Sequence, residues 1–372
     1  MSPSPSVLLA ADKFKGCLSA ADVCAELRTG LLRAALPVEV VLRPVADGGD
    51  GTLDAALAAG FEPRDVAAAG PLGEPTTARI GVRGKTALIE LAEICGLARL
   101  PGGKPEPMQA STYGLGLAMK AAIDLGYRDL VIGIGGSAST DGGMGAAAAL
   151  GTRILDHEDS LVRPCGAALR KVARVDLDPM LDRLAEVTIV VASDVRSPLT
   201  GEQGAAAVFG PQKGANPEQV CVLAAGLEQW AAVLQHATGV DVRSLPAGGA
   251  AGGAAVPFLA TGRARVVSGA QLVLDLTGTR QAIDGADVVV TGEGRWDGQT
   301  SAGKAPHAVL EAAHRAGKPV IAVAGSFASN VDLSAMSAWY SLTDLAGAGG
   351  DPFRDARILL QDVGRWIGDG LT

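Results

Sequence analysis

Aromatic residues are scarce in this 372-residue chain: phenylalanine, tyrosine and tryptophan together make up 3% of it. Cysteine is scarce as well. Cys17, Cys24, Cys95, Cys165 and Cys221 form no CxxC pair. That odd, low count excludes a disulfide framework and predicts reduced thiols in a cytoplasmic protein. Positive charge is in deficit, with 32 lysines and arginines against 40 acids and a net charge of −8. No basic stripe is visible, so nucleic acid is not an expected partner. No apolar run reaches membrane-spanning length, so no membrane association is expected. The opening MSPSPSVLLAADKF lacks the basic region and long apolar run of a signal peptide. The four histidines, His157, His236, His307 and His314, show no metal-ligand spacing, and no nucleophilic Ser or Cys elbow is present.

Glycine and apolar residues are abundant: 50 glycines and 48% hydrophobic residues, with 19% charged. This is a globular composition. Gly and Ala suit tight strand–loop–helix joints and close helix–sheet packing. The length predicts two domains. Residues 6–11 read as a strand, 19–36 as a helix with Ser19 at its start, 38–45 as a strand and 52–59 as a helix. This βαβα opening implies parallel pairing. Residues 67–91 read as an antiparallel meander of short strands. Helices follow at 109–125, 140–150 and 217–238, and strands at 130–134 and 187–192. The Gly/Ala stretch 246–257, PAGGAAGGAAVP, is either a linker or a close-packed loop near a ligand. The end alternates again, with strands at 287–291 and 319–324 and helices at 305–316 and 353–367. The simplest parse is α/β, with two unlike α/β domains. Residues 1–62 plus 283–372 form one doubly wound parallel sheet from both chain ends, and residues 63–282 form an inserted mixed-sheet α/β domain.

Acids and lysines recur just past the expected strands, where a doubly wound sheet presents its ligand edge. Asp12, Lys13 and Lys15 follow the first strand. Asp47, Gly48, Gly49, Asp50 and Gly51 place two carboxylates three apart with no bulk between, which suits a metal–phosphate site or a tight solvated turn. Residues 133–138, GIGGSA, fit G-x-G-x-x-A after a strand, the dinucleotide fingerprint, with Asp156 further on. The following hydroxyls and acid read instead as a phosphate or hydroxy-acid loop, involving Gly135, Gly136, Ser137, Ser139 and Asp141. Asp141 serves there either as a ligand group or as a helix cap. Asp194 ends the apolar run TIVVASD, a fixed, partly desolvated place for an acid that accepts a hydroxyl proton or holds Mg²⁺; a buried structural acid is the alternative. Glu293 and Asp297 share that ambiguity. Residues 298–305, GQTSAGKA, nearly spell a Walker A loop, but Ala305 stands where the Mg²⁺-binding hydroxyl belongs. Lys304 is left to hold a phosphate by charge or to sit exposed at a helix start.

Five segments, in order along the chain, resemble signatures of the bacterial glycerate kinases: ADKFKGCLSA (11–20), PVADGGDGT (44–52), GIGGSASTDGGMGAAAALG (133–151), SDVRSPLTGEQGAAAVFGPQKGA (193–215) and TGEGRWDGQTSAGKAP (291–306). The departures are modest. Ser193 and Ser197 stand where Cys and Asn are frequent, and Cys17 where Ser is. The resemblance implies a flavodoxin-like domain paired with a second mixed α/β domain, with the active site in the cleft between them. It implies transfer of the γ-phosphoryl group of ATP to D-glycerate, with 2-phosphoglycerate favoured over 3-phosphoglycerate. Asp194, Lys13, Lys15 and Lys213 are then the expected catalytic residues. Asp47, Gly48, Gly49, Asp50, Gly135, Gly136, Ser137, Ser139, Asp141, Glu293, Asp297 and Lys304 are expected to bind substrate or phosphate. Mg²⁺ would be held by Asp194 and Asp47. A homodimer is left open. The rival readings are a nucleotide-dependent dehydrogenase of a small hydroxy acid, using GIGGSA, and a non-catalytic small-ligand binding protein.

Overall fold

The structure is a computed structural model, and it describes residues 4–298 and 304–371. In chain order, the strands β1 (Ser6–Leu9) and β2 (Glu39–Leu42) open the chain. The middle carries β3 (Glu62–Ala69), β4 (Pro75–Arg83), β5 (Thr86–Glu90), β6 (Asp129–Gly133), β7 (Arg153–Leu155), β8 (Arg174–Asp176), β9 (Thr188–Ala192) and β10 (Ala264–Val267). The end carries β11 (Val288–Trp296), β12 (Val320–Phe327) and β13 (Ala338–Ser341).

Two compact units result. The first comprises Met1–Asp47, Asp54–Gly60 and Ser268–Thr372, and the second Gly48–Leu53 and Phe61–Val267. The chain returns to the first unit at Ser268, ahead of the residue 283 expected from sequence. Ala270, Leu274 and Ile283, on the helices Gly269–Leu276 and Thr279–Gly285, share a core with Leu8 and Val289.

The sheet of the first unit has the order β13-β12-β11-β1-β2 with every pair parallel. Read in chain order this is 2-1-3-4-5, the flavodoxin-like doubly wound arrangement, with the second unit inserted between its second and third strands. Parallel strands covered on both faces must be apolar throughout. β1 obeys this by alternation: Val7 and Leu9 face one buried cluster and Leu8 the other. On one face the helices Ala20–Leu31 and Ala356–Asp369 pack together through backbone. A Cβ at Gly30 would lie 2.0 Å from the Gln361 carbonyl oxygen, and one at Gly364 2.2 Å from that of Leu27. Ser19 caps the first of these helices, its hydroxyl accepting from the Asp22 amide at 3.1 Å.

The second unit holds a mixed six-stranded sheet, β10-β9-β6-β5-β4-β3, parallel from β10 to β5 and antiparallel from β5 to β3. The fold is therefore α/β with two unlike sheets, and the meander expected at 67–91 is the antiparallel part. The longest helix, Pro217–Thr238, has both ends written in sequence. Asn216 and Gln219 form a reciprocal capping box, Pro217 occupies the first turn, and Gly239 closes it with φ 76°. Its Trp230 is fully buried and donates Nε1–H to the Gly142 carbonyl at 2.9 Å. No helix of the described residues is long and apolar enough to cross a membrane.

Because the helices of the first unit meet through glycine, adding one methyl group there is costly. Gly30→Ala is expected to lower stability by about 1–3 kcal/mol, measured by urea unfolding.

Candidate functional site

Four parallel strands of the second sheet stop level with one another. Glu90 of β5 pairs with Gly133 of β6, Gly133 with Ala192 of β9, and Ala192 with Val267 of β10. The loops that follow these strands therefore leave from one edge, the edge where α/β sheets bind ligands. Asp194 lies two residues past β9, half-buried, in a loop anchored by the Ser193 amide donating to the Val267 carbonyl at 3.0 Å.

The loop after β6 does not run straight into a helix. The next helix is Met144–Ala149, because Gly142 and Gly143 hold φ of 62° and 73° and end any earlier helical run. That geometry removes the dinucleotide reading of 133–138, which needs the glycine turn to open a helix directly. The loop is pinned by the Leu97 amide donating to the Gly136 carbonyl and the Ala138 amide donating to the Cys95 carbonyl. Gly136 is exposed and Gly135 half-buried, whereas Ser137 and Ser139 are buried.

Lys213, expected among the catalytic residues, is 3% exposed. Nζ donates to Ser137 Oγ at 2.8 Å and to the Ser139 carbonyl. Burial drives its pKa down to about 7, against the opposing pull of the Asp141 charge. Asp141 is fully buried. Its Oδ2 accepts from the Thr112 amide at 2.8 Å, Thr112 Oγ1 at 2.9 Å, Ser111 Oγ at 3.1 Å and the Gly145 amide at 3.2 Å. Its Oδ1 accepts from the Gly143 amide at 3.3 Å. Burial raises its pKa and these donors oppose the rise. Asp141 thus joins the starts of two helices, Tyr113–Asp124 and Met144–Ala149, with Gly143 in the cap position of the latter.

The DGGDG loop packs against this edge through glycine. Gly48 has φ 85°, and a Cβ there would lie 2.9 Å from Ala192; a Cβ on Gly135 would lie 2.5 Å from Gly49 Cα. Sequence reasoning missed Glu90, which organises the loop. Its Oε1 accepts from the Gly51 amide at 3.0 Å and its Oε2 from the Leu53 amide at 2.8 Å, capping the helix Thr52–Ala58. Burial raises its pKa to about 7, with the charges of Asp50 and Glu93 adding to the rise. Asp50 is exposed, and one oxygen each of Asp50, Glu90 and Glu93 lie within 4.8 Å of one another. The signal for Glu90 was the one that marked Asp194: an acid at the carboxyl end of a buried strand.

In the first unit, Asp12 follows β1 and is 6% exposed, with its amide donating to the Gly292 carbonyl at 2.8 Å. Burial raises its pKa to about 7; Lys13 opposes, while Asp47 and Glu293 raise it further. Asp12, Lys13, Asp47 and Glu293 are therefore one electrostatic group. Lys304 joins them, its Nζ 3.8 Å from Glu293 Oε2. Glu293 was expected in a loop, but β11 continues through it to Trp296, whose ring stacks on Phe327 at 6.0 Å between centroids. Asp297, just past β11, lies 3.7 Å from Arg295. Lys15 is exposed. Of the near-Walker segment, residues 299–303 lie outside the described residues, and Lys304 stands in the cap position of the helix Ala305–Arg315.

The model of the glycerate kinase family matches residues 7–371. The chain belongs to the glycerate kinase family. Among relatives, a glycerate kinase of Haemophilus influenzae is 39% identical over 88% of this chain and 87% of its own. A glycerate 2-kinase of Escherichia coli K12 is 36% identical over 94% of this chain and 93% of its own. A crystal structure from Salmonella typhimurium LT2 carrying the glycerate kinase 2 name superposes with a TM-score of 0.84 at 35% identity, over 99% of this chain and 98% of that one. The family is one of phosphotransferase enzymes, which leaves the dehydrogenase reading without support.

The buried lysine gives this site a pH signature. Between a folded pKa of about 7 and the ordinary lysine value near ~10.4, the unfolded chain binds more protons than the folded one. Its contribution to stability is full above the unfolded value and is lost as pH falls through about 7. The stability difference between wild type and Lys213→Met should therefore rise with pH above 7, with a limiting slope of about 1.4 kcal/mol per pH unit. Urea denaturation from pH 6.5 to 9.5 checks it; a flat difference contradicts it.

Proposed function

We propose that the chain transfers the γ-phosphoryl group of ATP to the 2-hydroxyl of D-glycerate, giving 2-phosphoglycerate and ADP, in the cytoplasm. The family match across residues 7–371 carries the reading. The 36% identity to a relative named glycerate 2-kinase favours the 2-hydroxyl. The five free cysteines accord with a reducing compartment.

The residues present fit Mg²⁺. Asp12, Asp47 and Glu293 offer the all-oxygen donor chemistry a hard cation takes, and the like charges that push Asp12 up would be offset by a dication. Asp47 would hold the ion there. Bound there, it would supply positive charge against the charge that develops on the transferred phosphoryl group. Lys13, Lys15 and Lys304 supply positive charge for the triphosphate and the substrate carboxylate. The backbone around Gly48, Gly49, Gly135 and Gly136 lets amides come close to phosphate. Asp194 accepts the hydroxyl proton as the hydroxyl oxygen bonds to phosphorus and the bond from phosphorus to the departing ADP oxygen breaks. Lys213 and Asp141 act at one remove, as positioning residues that fix the 137–145 backbone.

Purified protein should form ADP only when ATP, Mg²⁺ and D-glycerate are all present, with the 2-phospho product seen by ³¹P NMR. No glycerate-dependent ADP formation from a folded sample would refute the reading, and a 3-phospho product would refute the regiochemistry. Asp194→Asn keeps size and removes charge. It should lower kcat by about 10²–10⁴-fold with the melting temperature preserved; near wild-type turnover would transfer the role to Asp47 or Glu293.

A further inference from the structure

The Gly/Ala stretch that the sequence left as linker or packed loop is buried along 247–250 and 252–257. It runs between two loops that leave the sheet edge. The Gly249 amide donates to the Ser197 carbonyl at 2.9 Å, in the loop carrying Asp194. The Gly142 amide donates to the Gly252 carbonyl at 2.9 Å, at the far end of the loop carrying Gly135 and Ser139. Both approaches are backbone on backbone. A Cβ on Gly249 would lie 2.1 Å from the Pro198 carbonyl oxygen, and one on Gly252 2.2 Å from that of Ser139. Two alanines flank these contacts in the left-handed region, Ala247 at φ 63° and Ala251 at φ 53°. Non-glycine residues in that region cost energy and persist only where the surroundings over-determine them.

We propose that residues 247–253 are a clasp that sets the Asp194 loop and the Gly135–Ser139 loop in fixed register, with Gly249 and Gly252 as positioning residues of the phosphoryl transfer. The part about catalysis rests on the function proposed above; the coupling of the two loops does not. Displacing a reacting group by about 1 Å can cost roughly 10²-fold in rate. A clasp that fixes one loop against the other is therefore worth its strained backbone.

The test uses the full chain, with amide hydrogen exchange read by mass spectrometry and steady-state kinetics on the same preparations. In Gly249→Ala, which pushes only on the Pro198 side, exchange should rise in 193–200 and also in 133–142. Its kcat should fall roughly tenfold or more, with KM for ATP within about threefold of wild type. Faster exchange confined to 193–200, or wild-type kcat per folded molecule, would overturn the clasp. If that variant does not fold, the wild-type chain still decides. The amides of Gly142 and Gly249 should show the same denaturant dependence of exchange, as members of one opening unit, and separate dependences would overturn it. Wild-type protein lacking glycerate-dependent ADP formation would remove the function while leaving the exchange result to judge the coupling.

Discussion

A carboxylate taken fully out of water stays ionised only if donors meet it. Asp141 is such a group, and much of the second unit is arranged to meet it. Its five donors come from Ser111, Thr112, Gly143 and Gly145. Satisfying it fixes where two helices begin and forces the left-handed turn at Gly142 and Gly143 between β6 and the second of them. Its charge is also the favourable influence on the Lys213 ammonium, which is otherwise penalised by burial. Lys213 in turn holds Ser137 and Ser139. One interaction thus shapes the backbone from 137 to 145. Removing the Asp141 charge would leave the Lys213 ammonium buried with neutral acceptors alone.

Two acids beside strand ends follow another rule. Glu90 ends β5 and Asp12 lies three residues past β1; both are buried, and both are pushed to about 7 by burial first and by neighbouring acids second. Glu90 is satisfied by two backbone amides and acts as a helix cap. Asp12 shares its surroundings with Asp47 and Glu293, so its environment improves when positive charge arrives. The contrast separates an acid that organises a loop from an acid group suited to a cation, although the two look alike in sequence.

Much of this was legible in the residues. The runs at 187–192 and 287–291 read as strands, and β9 and the start of β11 lie there; Asn216-Pro217 with Gly239 mark both ends of the longest helix. Of the acids read as lying just past strands, Asp12 follows β1 and Asp194 follows β9. What failed were features set by distant contacts. β11 runs on past Thr291 because Trp296 finds Phe327. The helix expected from residue 140 starts at Met144 because Asp141 answers to Ser111 and Thr112, some thirty residues away in sequence. The burial of Lys213 has no local signal either, because its partners Ser137 and Ser139 lie far earlier in the chain. The stretch 246–257, which reads as either a linker or a close-packed loop, is the packed loop, and only its partners Ser197 and Gly142, far along the chain, decide between the two.

On this account the buried pair Lys213 and Asp141 hold the backbone of the site and touch no ligand. A crystal structure with a non-hydrolysable ATP analogue, Mg²⁺ and D-glycerate tests it most directly. The account predicts that Lys213 Nζ stays on Ser137 and the Ser139 carbonyl, with Asp141 still surrounded by its protein donors. A Lys213 ammonium bonded directly to phosphate or to the glycerate carboxylate would contradict it.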